Sequence, residues 1–279
     1  MKLLLDLGNT RIKAGWIVSQ SGQREDRALA FAHADLKQLR TWLREIAAGP
    51  TAATAALGVN VAGSALAHAL DEMLAEELGI PIRWVCSSAS AGGILNAYTQ
   101  PQQLGADRWV AMIGMAQRAL ARPVLLATFG TATTIDTLGL DNRQHDTMPT
   151  FRGGLIFPGP ALMRSSLAAG TANLPAADGA VAPYPTDTHQ AISTGIAAAQ
   201  AGALLRQWRV GLSHYGQAPQ VYVSGGGWPM VQEEVQRLLS RARSDLGMPP
   251  ENAGFIASPV LDGLARLASD ASLMRDCKT

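Results

Sequence analysis

Apolar residues open the chain in a block, Leu3-Leu4-Leu5, which Asp6 interrupts before Leu7 resumes it. A short apolar run bounded by turn residues reads as a strand. Residues 3 to 8 are therefore a strand, Gly8-Asn9 a turn, and residues 11 to 18 a second strand ending near Ser19-Gly22, together a β-hairpin. A third β-like run covers residues 27 to 32. Leu36, Leu39, Leu43 and Ile46 then recur at the spacing of one helix face, which predicts a helix from about Asp35 to Ala48 with its exit at Pro50. Strand-like residues 55 to 61, a helix over 64 to 79 and a strand at 81 to 86 complete a β-β-β-α-β-α-β order, half of an α/β protein.

Residues Ser87 to about Leu104, rich in Ser, Gly and Pro, read as a loop. A helix from about Ala106 to Leu120 follows, with Trp109, Ile113, Ala116 and Leu120 on one face, and Pro123 ends it. The opening pattern then returns. VLLATFGTATTIDTLG at 124 to 139 repeats the strand, glycine turn and strand of the N-terminus, and aligning residues 3 to 10 with 125 to 132 matches Leu3 with Leu125, Leu4 with Leu126 and Gly8 with Gly130. A strand-like GGLIFPG at 153 to 159, helices near 160 to 168 and 186 to 209, a strand at 220 to 224 and helices near 229 to 242 and 259 to 270 complete this half. The repeat separation, 125 minus 3 or 122 residues, is about one lobe. It sets a division into an N-terminal lobe, residues 1–121, and a C-terminal lobe, residues 122–279, with a cleft between them.

Composition narrows the partners. With 47% hydrophobic and 16% charged residues the chain buries a full core, and 23 basic against 22 acidic residues, scattered without long runs, leave no electrostatic footprint for nucleic acid or an anionic membrane. A small-molecule partner is the expectation. Met1-Lys2-Leu3-Leu4-Leu5 reaches Asp6 too soon for a signal-peptide core, and no apolar stretch attains the roughly 18 residues of a membrane helix. Cys86 and Cys277, without CxxC or a histidine cluster, indicate neither a disulfide framework nor zinc, so a reducing cytoplasm is expected.

Asp6-Leu7-Gly8-Asn9-Thr10 sets a carboxylate at a strand end before a glycine turn. Glycine N–H groups, Asn9, Thr10 and the Lys13 cation suit a polyphosphate, and Asp6 suits hydrated Mg²⁺ on it; the same residues also suit an ordinary hairpin. Thr128-Phe129-Gly130-Thr131-Ala132-Thr133-Thr134 repeats the arrangement with hydroxyls around a glycine, so the two turns pair as a phosphate clamp. Gly153-Gly154 and Ser224-Gly225-Gly226-Gly227 offer bare backbone to a purine or ribose, or simply turn the chain. Neither GxxxxGK(S/T) nor GxGxxG accompanies them, against P-loop and Rossmann readings. In Gly105-Ala106-Asp107-Arg108, Asp107 can accept a proton from a substrate hydroxyl or cap the helix, and Arg108 can bind a substrate carboxylate. The five histidines lie far apart and read as structural; Thr188 reads as an N-cap.

Taken in order, DLGNT at 6–10, GADR at 105–108, FGTATTID at 129–136 and GGLIFPG at 153–159 resemble the type III pantothenate kinases, over nearly the whole chain. The resemblance implies an α/β protein of the actin/sugar-kinase/Hsp70 fold, with two duplicated ribonuclease-H-like lobes, that converts ATP and pantothenate to 4′-phosphopantothenate, the first step toward coenzyme A. It implies that Asp6, Leu7, Gly8, Asn9, Thr10, Arg11, Ile12 and Lys13, with Thr131, hold the phosphates of MgATP. Asp107 is then the proton acceptor, Tyr98 with Gly105, Ala106, Asp107 and Arg108 lines the pantothenate pocket, and Thr188 completes that pocket from the partner subunit of a homodimer. The family writes its second phosphate motif DxGTA, with the aspartate on a potassium or ammonium ion. Here Thr128 stands in that position, a neutral oxygen that compensates no cation charge. This resembles the branch containing the Bvg accessory factor, in which a regulatory role accompanies the kinase name. A non-catalytic nucleotide-binding regulator and a kinase for another small hydroxylated metabolite are the alternative functions.

Overall fold

The computed structural model describes residues 1–18, 24–25, 27–140, 147–175 and 178–269. The expected strand end near Ser19-Gly22 lies outside them. The chain forms two compact units: residues 1–117 with those from Ser258 onward, and residues 118–257.

In the first unit, β1 (Lys2–Leu7) and β2 (Arg11–Ile17) are the expected antiparallel hairpin, joined by β3 (Leu29–Ala32), β4 (Ala55–Asn60) and β5 (Ile82–Trp84) in the order β3-β2-β1-β4-β5. Alternate residues of β1 face opposite sides of the sheet, yet Leu3, Leu4, Leu5 and Leu7 are all fully buried. Leu3, Leu5 and Leu7 pack with Leu39, Leu43 and Ile46 of α1 (Leu36–Ala48) and with Leu70, Met73 and Leu74 of α2 (Ser64–Leu78). Each such leucine contributes about 2 kcal/mol of burial free energy. On the other face, which carries Lys2, Leu4 and Asp6, Lys2 Nζ donates to the Ala268 carbonyl of α7 (Pro259–Ser269), and α7 packs on β1, β2 and β4. A central strand covered on both sides has to be largely apolar on both sides, which is why Leu3, Leu4 and Leu5 follow one another without a polar residue between them.

Three differences from the sequence expectation belong to this unit. The stretch read as a loop holds a small hairpin, β6 (Ser90–Ala91) and β7 (Ile94–Asn96), turned by Gly92 and Gly93 at φ 57° and 75°. Strands of two and three residues leave no periodicity to read. Helix α3 (Ala106–Ala119) stops before Leu120, which is 52% exposed. Cys86 is disulfide-bonded, where the sequence indicated no disulfide framework, and Cys277 lies outside the described residues.

The second unit holds β8 (Val124–Phe129), β9 (Ala132–Gly139), β10 (Thr150–Pro158), β11 (Gln220–Ser224) and β12 (Gly254–Phe255) in the order β12-β11-β8-β9-β10. Counted from its own first strand this is again third-second-first-fourth-fifth, so the repeat seen in the sequence is a repeat of topology. Helices α4 (Pro160–Gly170), α5 (Thr188–Tyr215) and α6 (Trp228–Asp245) complete it. Leu125, Ala127 and Phe129 of β8 pack with Leu204 and Trp208 of α5 and with Val231, Val235 and Leu239 of α6. Helix α5 runs six residues beyond the expected end and stops at Gly216, φ 68°. The expected division at 121/122 gave everything later to the second lobe. Instead α7 returns to the first unit, a placement set by its packing on β1 rather than by any local signal.

Candidate active site

Asp6 stands on β1 opposite Lys13 of β2 and is only 8% exposed. Burial pushes its carboxyl up to about 6; the Lys13 cation acts against this, and the nearby Asp107 carboxylate adds to it. Leu7 and Ile12, which close the hairpin, send their side chains into the core, so only their backbone is offered to a ligand. The tip is polar, with Asn9, Thr10 and Arg11 exposed.

Gly8 is not demanded by its turn. Its φ is not positive, and an added Cβ would meet only the Arg11 carbonyl oxygen, at an ordinary 3.4 Å. A glycine the backbone does not need leaves room for something else. Its N–H, however, donates to the Arg11 carbonyl at 3.1 Å, so the expectation that glycine N–H groups hold phosphate is corrected: the turn itself takes up that donor. Gly130 repeats the pattern, its N–H donating to the Ala132 carbonyl at 3.0 Å.

Gly105 opens α3, its carbonyl accepting from Trp109 N at 3.0 Å, and Ala106, Asp107 and Arg108 form the first turn. The Asp107 carboxylate folds back, Oδ1 accepting the Arg108 N–H at 2.8 Å, into space that a Cβ at Gly105 would occupy 2.7 Å away. Burial raises the Asp107 pKa, and the Arg108 N–H and cation oppose the rise without overcoming it. A helix start favours the ionised carboxylate and by itself makes it a weak base; burial, which disfavours the charge, is here the larger effect. Arg108 is 6% exposed, and its Nη1 donates to the Tyr98 hydroxyl at 3.1 Å. Asp6, Tyr98 and residues 105–108 thus form one polar constellation within the first unit. Among the described residues no group of three or more metal-ligating side chains occurs. Mg²⁺ keeps most of its water and asks for one or two carboxylates, a demand that buried, poorly compensated Asp6 meets.

In the second unit three strand ends converge. The exposed Thr131 lies in the β8–β9 turn, where its carbonyl accepts from Gly159 N at 2.9 Å, and the Phe129 carbonyl accepts from Gly227 N at 2.9 Å. Gly225, at φ 95° against Phe129, is required by the backbone, whereas Gly226 is exposed with nothing near an added Cβ. Gly153 and Gly154 are structural: they sit at a bulge in β10, with Gly154 packed against Ile135 and Asp136. Thr128 lies between Thr134 of β9 and Ser224 of β11 in register, a row of three neutral hydroxyls. Thr188 is exposed at the first position of α5. The cap is Asp187, whose Oδ1 accepts from Gln190 N at 2.9 Å, which corrects the N-cap reading of Thr188. Thr188 instead borders an open groove of about 520 Å³ between α4 and α5, walled by Met163, Leu167, Ile192 and Ile196. Sequence reasoning passed over Gly159, whose only signal was its place at the end of GGLIFPG.

The type III pantothenate kinase family matches residues 2–210. A type III pantothenate kinase from Bordetella petrii is 52% identical over 271 residues, covering 96% of this chain and 97% of that one. The chain belongs to the type III pantothenate kinase family. Among solved structures, a Baf family protein from Campylobacter jejuni described as a transcriptional activator is similar with a TM-score of 0.56 at 15% identity, over 97% of this chain and 100% of that one. A Sinorhizobium meliloti protein described as a 2-dehydro-3-deoxygalactonokinase has a TM-score of 0.50 at 14% identity, over 98% and 99%. The chain shares the α/β fold of these two proteins, and its doubled strand order is in keeping with that likeness. Family membership makes ATP the co-substrate.

Proposed function

We infer that the protein transfers the γ-phosphoryl group of ATP to the 4′-hydroxyl of pantothenate, giving ADP and 4′-phosphopantothenate, the first step of coenzyme A synthesis. The hydroxyl oxygen forms the new bond to phosphorus as the bond from phosphorus to the β–γ bridging oxygen breaks. The hydroxyl proton goes to Asp107, whose carboxylate burial makes more basic than an exposed one. Phosphoryl transfer asks chiefly for orientation of the nucleophile and for charge stabilisation, so moderate basicity suffices.

Asp6 holds hydrated Mg²⁺, which when bound neutralises charge on the phosphates. The side chains of Asn9, Thr10, Arg11 and Lys13 engage the phosphates, presented by the hairpin turn that Leu7, Gly8 and Ile12 build. Tyr98, Gly105, Ala106 and Arg108 hold pantothenate, with Arg108 supplying a guanidinium for its carboxylate. The row at Thr128 puts neutral hydroxyls where the family has a carboxylate, so a potassium or ammonium ion there would lack its charge partner, and no step runs through such an ion. Use of ATP suits a cytoplasmic location, the even charge balance suits work without nucleic acid or membrane, and the α4–α5 groove with Thr188 at its border suits a homodimer. Among the described residues no helix is long and apolar enough to cross a membrane.

The observation that carries this reading is the convergence of Asp107, Arg108, Tyr98 and Asp6 in one unit of a type III pantothenate kinase family member. Asp107→Asn should lower kcat at least about 1,000-fold, with ATP binding and the unfolding midpoint kept. The wild type should turn over within about twofold in sodium and potassium buffers. Full activity in Asp107→Asn removes Asp107 as the base, and strict dependence on potassium overturns the reading of Thr128.

A further inference from the structure

Asn96 closes β7 two residues before Tyr98, and both ends of its side-chain amide are engaged. Its Nδ2 donates to the Ser88 carbonyl at 3.1 Å, and its Oδ1 accepts the Tyr98 N–H at 3.0 Å. Its backbone N–H donates to the Ala89 carbonyl at 2.9 Å. A carbonyl only accepts and an N–H only donates, so the partners themselves fix which end of the amide is which. The contact to Tyr98 N is an Asx turn, which sets the direction in which the chain leaves the strand. The line of contacts continues: the Tyr98 hydroxyl accepts from Arg108 Nη1, and the Arg108 N–H donates to Asp107.

We propose that Asn96 is a positioning residue for the pantothenate pocket, bracing Tyr98 against the Ser88 backbone and, through the Tyr98 hydroxyl, orienting the Arg108 guanidinium. This rests on the assignment of Tyr98 and Arg108 to that pocket. The residue type follows from the geometry. Aspartate offers no donor to the Ser88 carbonyl, alanine offers neither partner, and glutamine carries the amide one methylene too far for the turn. Asn96 acts on acceptor binding rather than on ATP, since its contacts lead to Tyr98 and not to the Asp6 hairpin.

The test measures KM for pantothenate, KM for ATP, kcat and the unfolding midpoint in full-length variants. Asn96→Ala should raise KM for pantothenate about tenfold with KM for ATP and kcat within about twofold, a split that general loosening of the fold does not produce. Tyr98→Phe should also raise KM for pantothenate, and the double variant should cost less than the product of the two, because both cut one line of contacts. Asn96→Asp keeps the acceptor for Tyr98 and loses the donor to Ser88. It should raise KM for pantothenate severalfold, and it carries the test should the alanine variant not fold. A folded Asn96 variant whose pantothenate KM stays within twofold of wild type, while Tyr98→Phe raises it, overturns the proposal alone. If Tyr98→Phe leaves it unchanged too, the pocket assignment falls as well.

Discussion

At Asp6, stability and function pull in opposite directions. The buried carboxyl ionises at about 6 in the folded chain against 3.8 for the ordinary group. Below the lower value it is protonated in both states. As pH rises through that window the unfolded chain gives up its proton first, so folding loses about 3 kcal/mol, and the loss persists at neutral pH. Asp6→Asn should therefore raise the unfolding midpoint by about 5 °C or more near pH 7.5 and leave it little changed near pH 4, while turnover with MgATP falls at least about 100-fold. Thermal unfolding at the two pH values checks this, and an equal midpoint difference at both contradicts it. The presence of the carboxylate was legible in the sequence, as was that of Asp107 in the next motif, GADR. Their electrostatics were not, because burial is set by tertiary packing: the helix on the Asp6 side of β1 is α7, from the far end of the chain. The bareness of Gly8 was legible, but the internal bond of its N–H was not, since that depends on how the turn closes.

Elements with a clear period were readable: α1, α2 and α3 carry apolar residues at helical spacing and occupy nearly the expected spans. Short strands were not, and β6, β7 and β12, of two or three residues, emerge only from pairing with neighbours. Helix α5 was under-read because its buried positions include Gln200, Gln207 and Gly211 among apolar ones, which blurs the pattern toward its end. Helices α4 and α5 also leave an apolar groove where Met163, Leu167, Ile192 and Ile196 meet Thr188, with Leu162 of α4 43% exposed beside it. An open apolar surface of this kind favours burial against another chain. Sedimentation equilibrium at micromolar concentration should give twice the chain mass, and Ala191→Glu, at an exposed position lining the groove, should give the single chain mass with the fold retained. A monomeric wild type contradicts the homodimer.

Across the whole molecule the sequence announced its duplication through the 122-residue separation of two glycine hairpins, and both units share the strand order third-second-first-fourth-fifth. The return of α7 to the first unit had no local signature, since only the identity of its packing partner decides it. The chemistry was legible because four motifs in a fixed order constrain far more than any one of them. The most direct measurement is mass-spectrometric identification of the product formed by the purified protein from pantothenate and MgATP. Pantothenate should gain one phosphoryl group with one ADP released per product, against no gain with Asp107→Asn in place of the wild type. ADP release without phosphorylated pantothenate, or binding of both substrates without any product, would contradict the assignment.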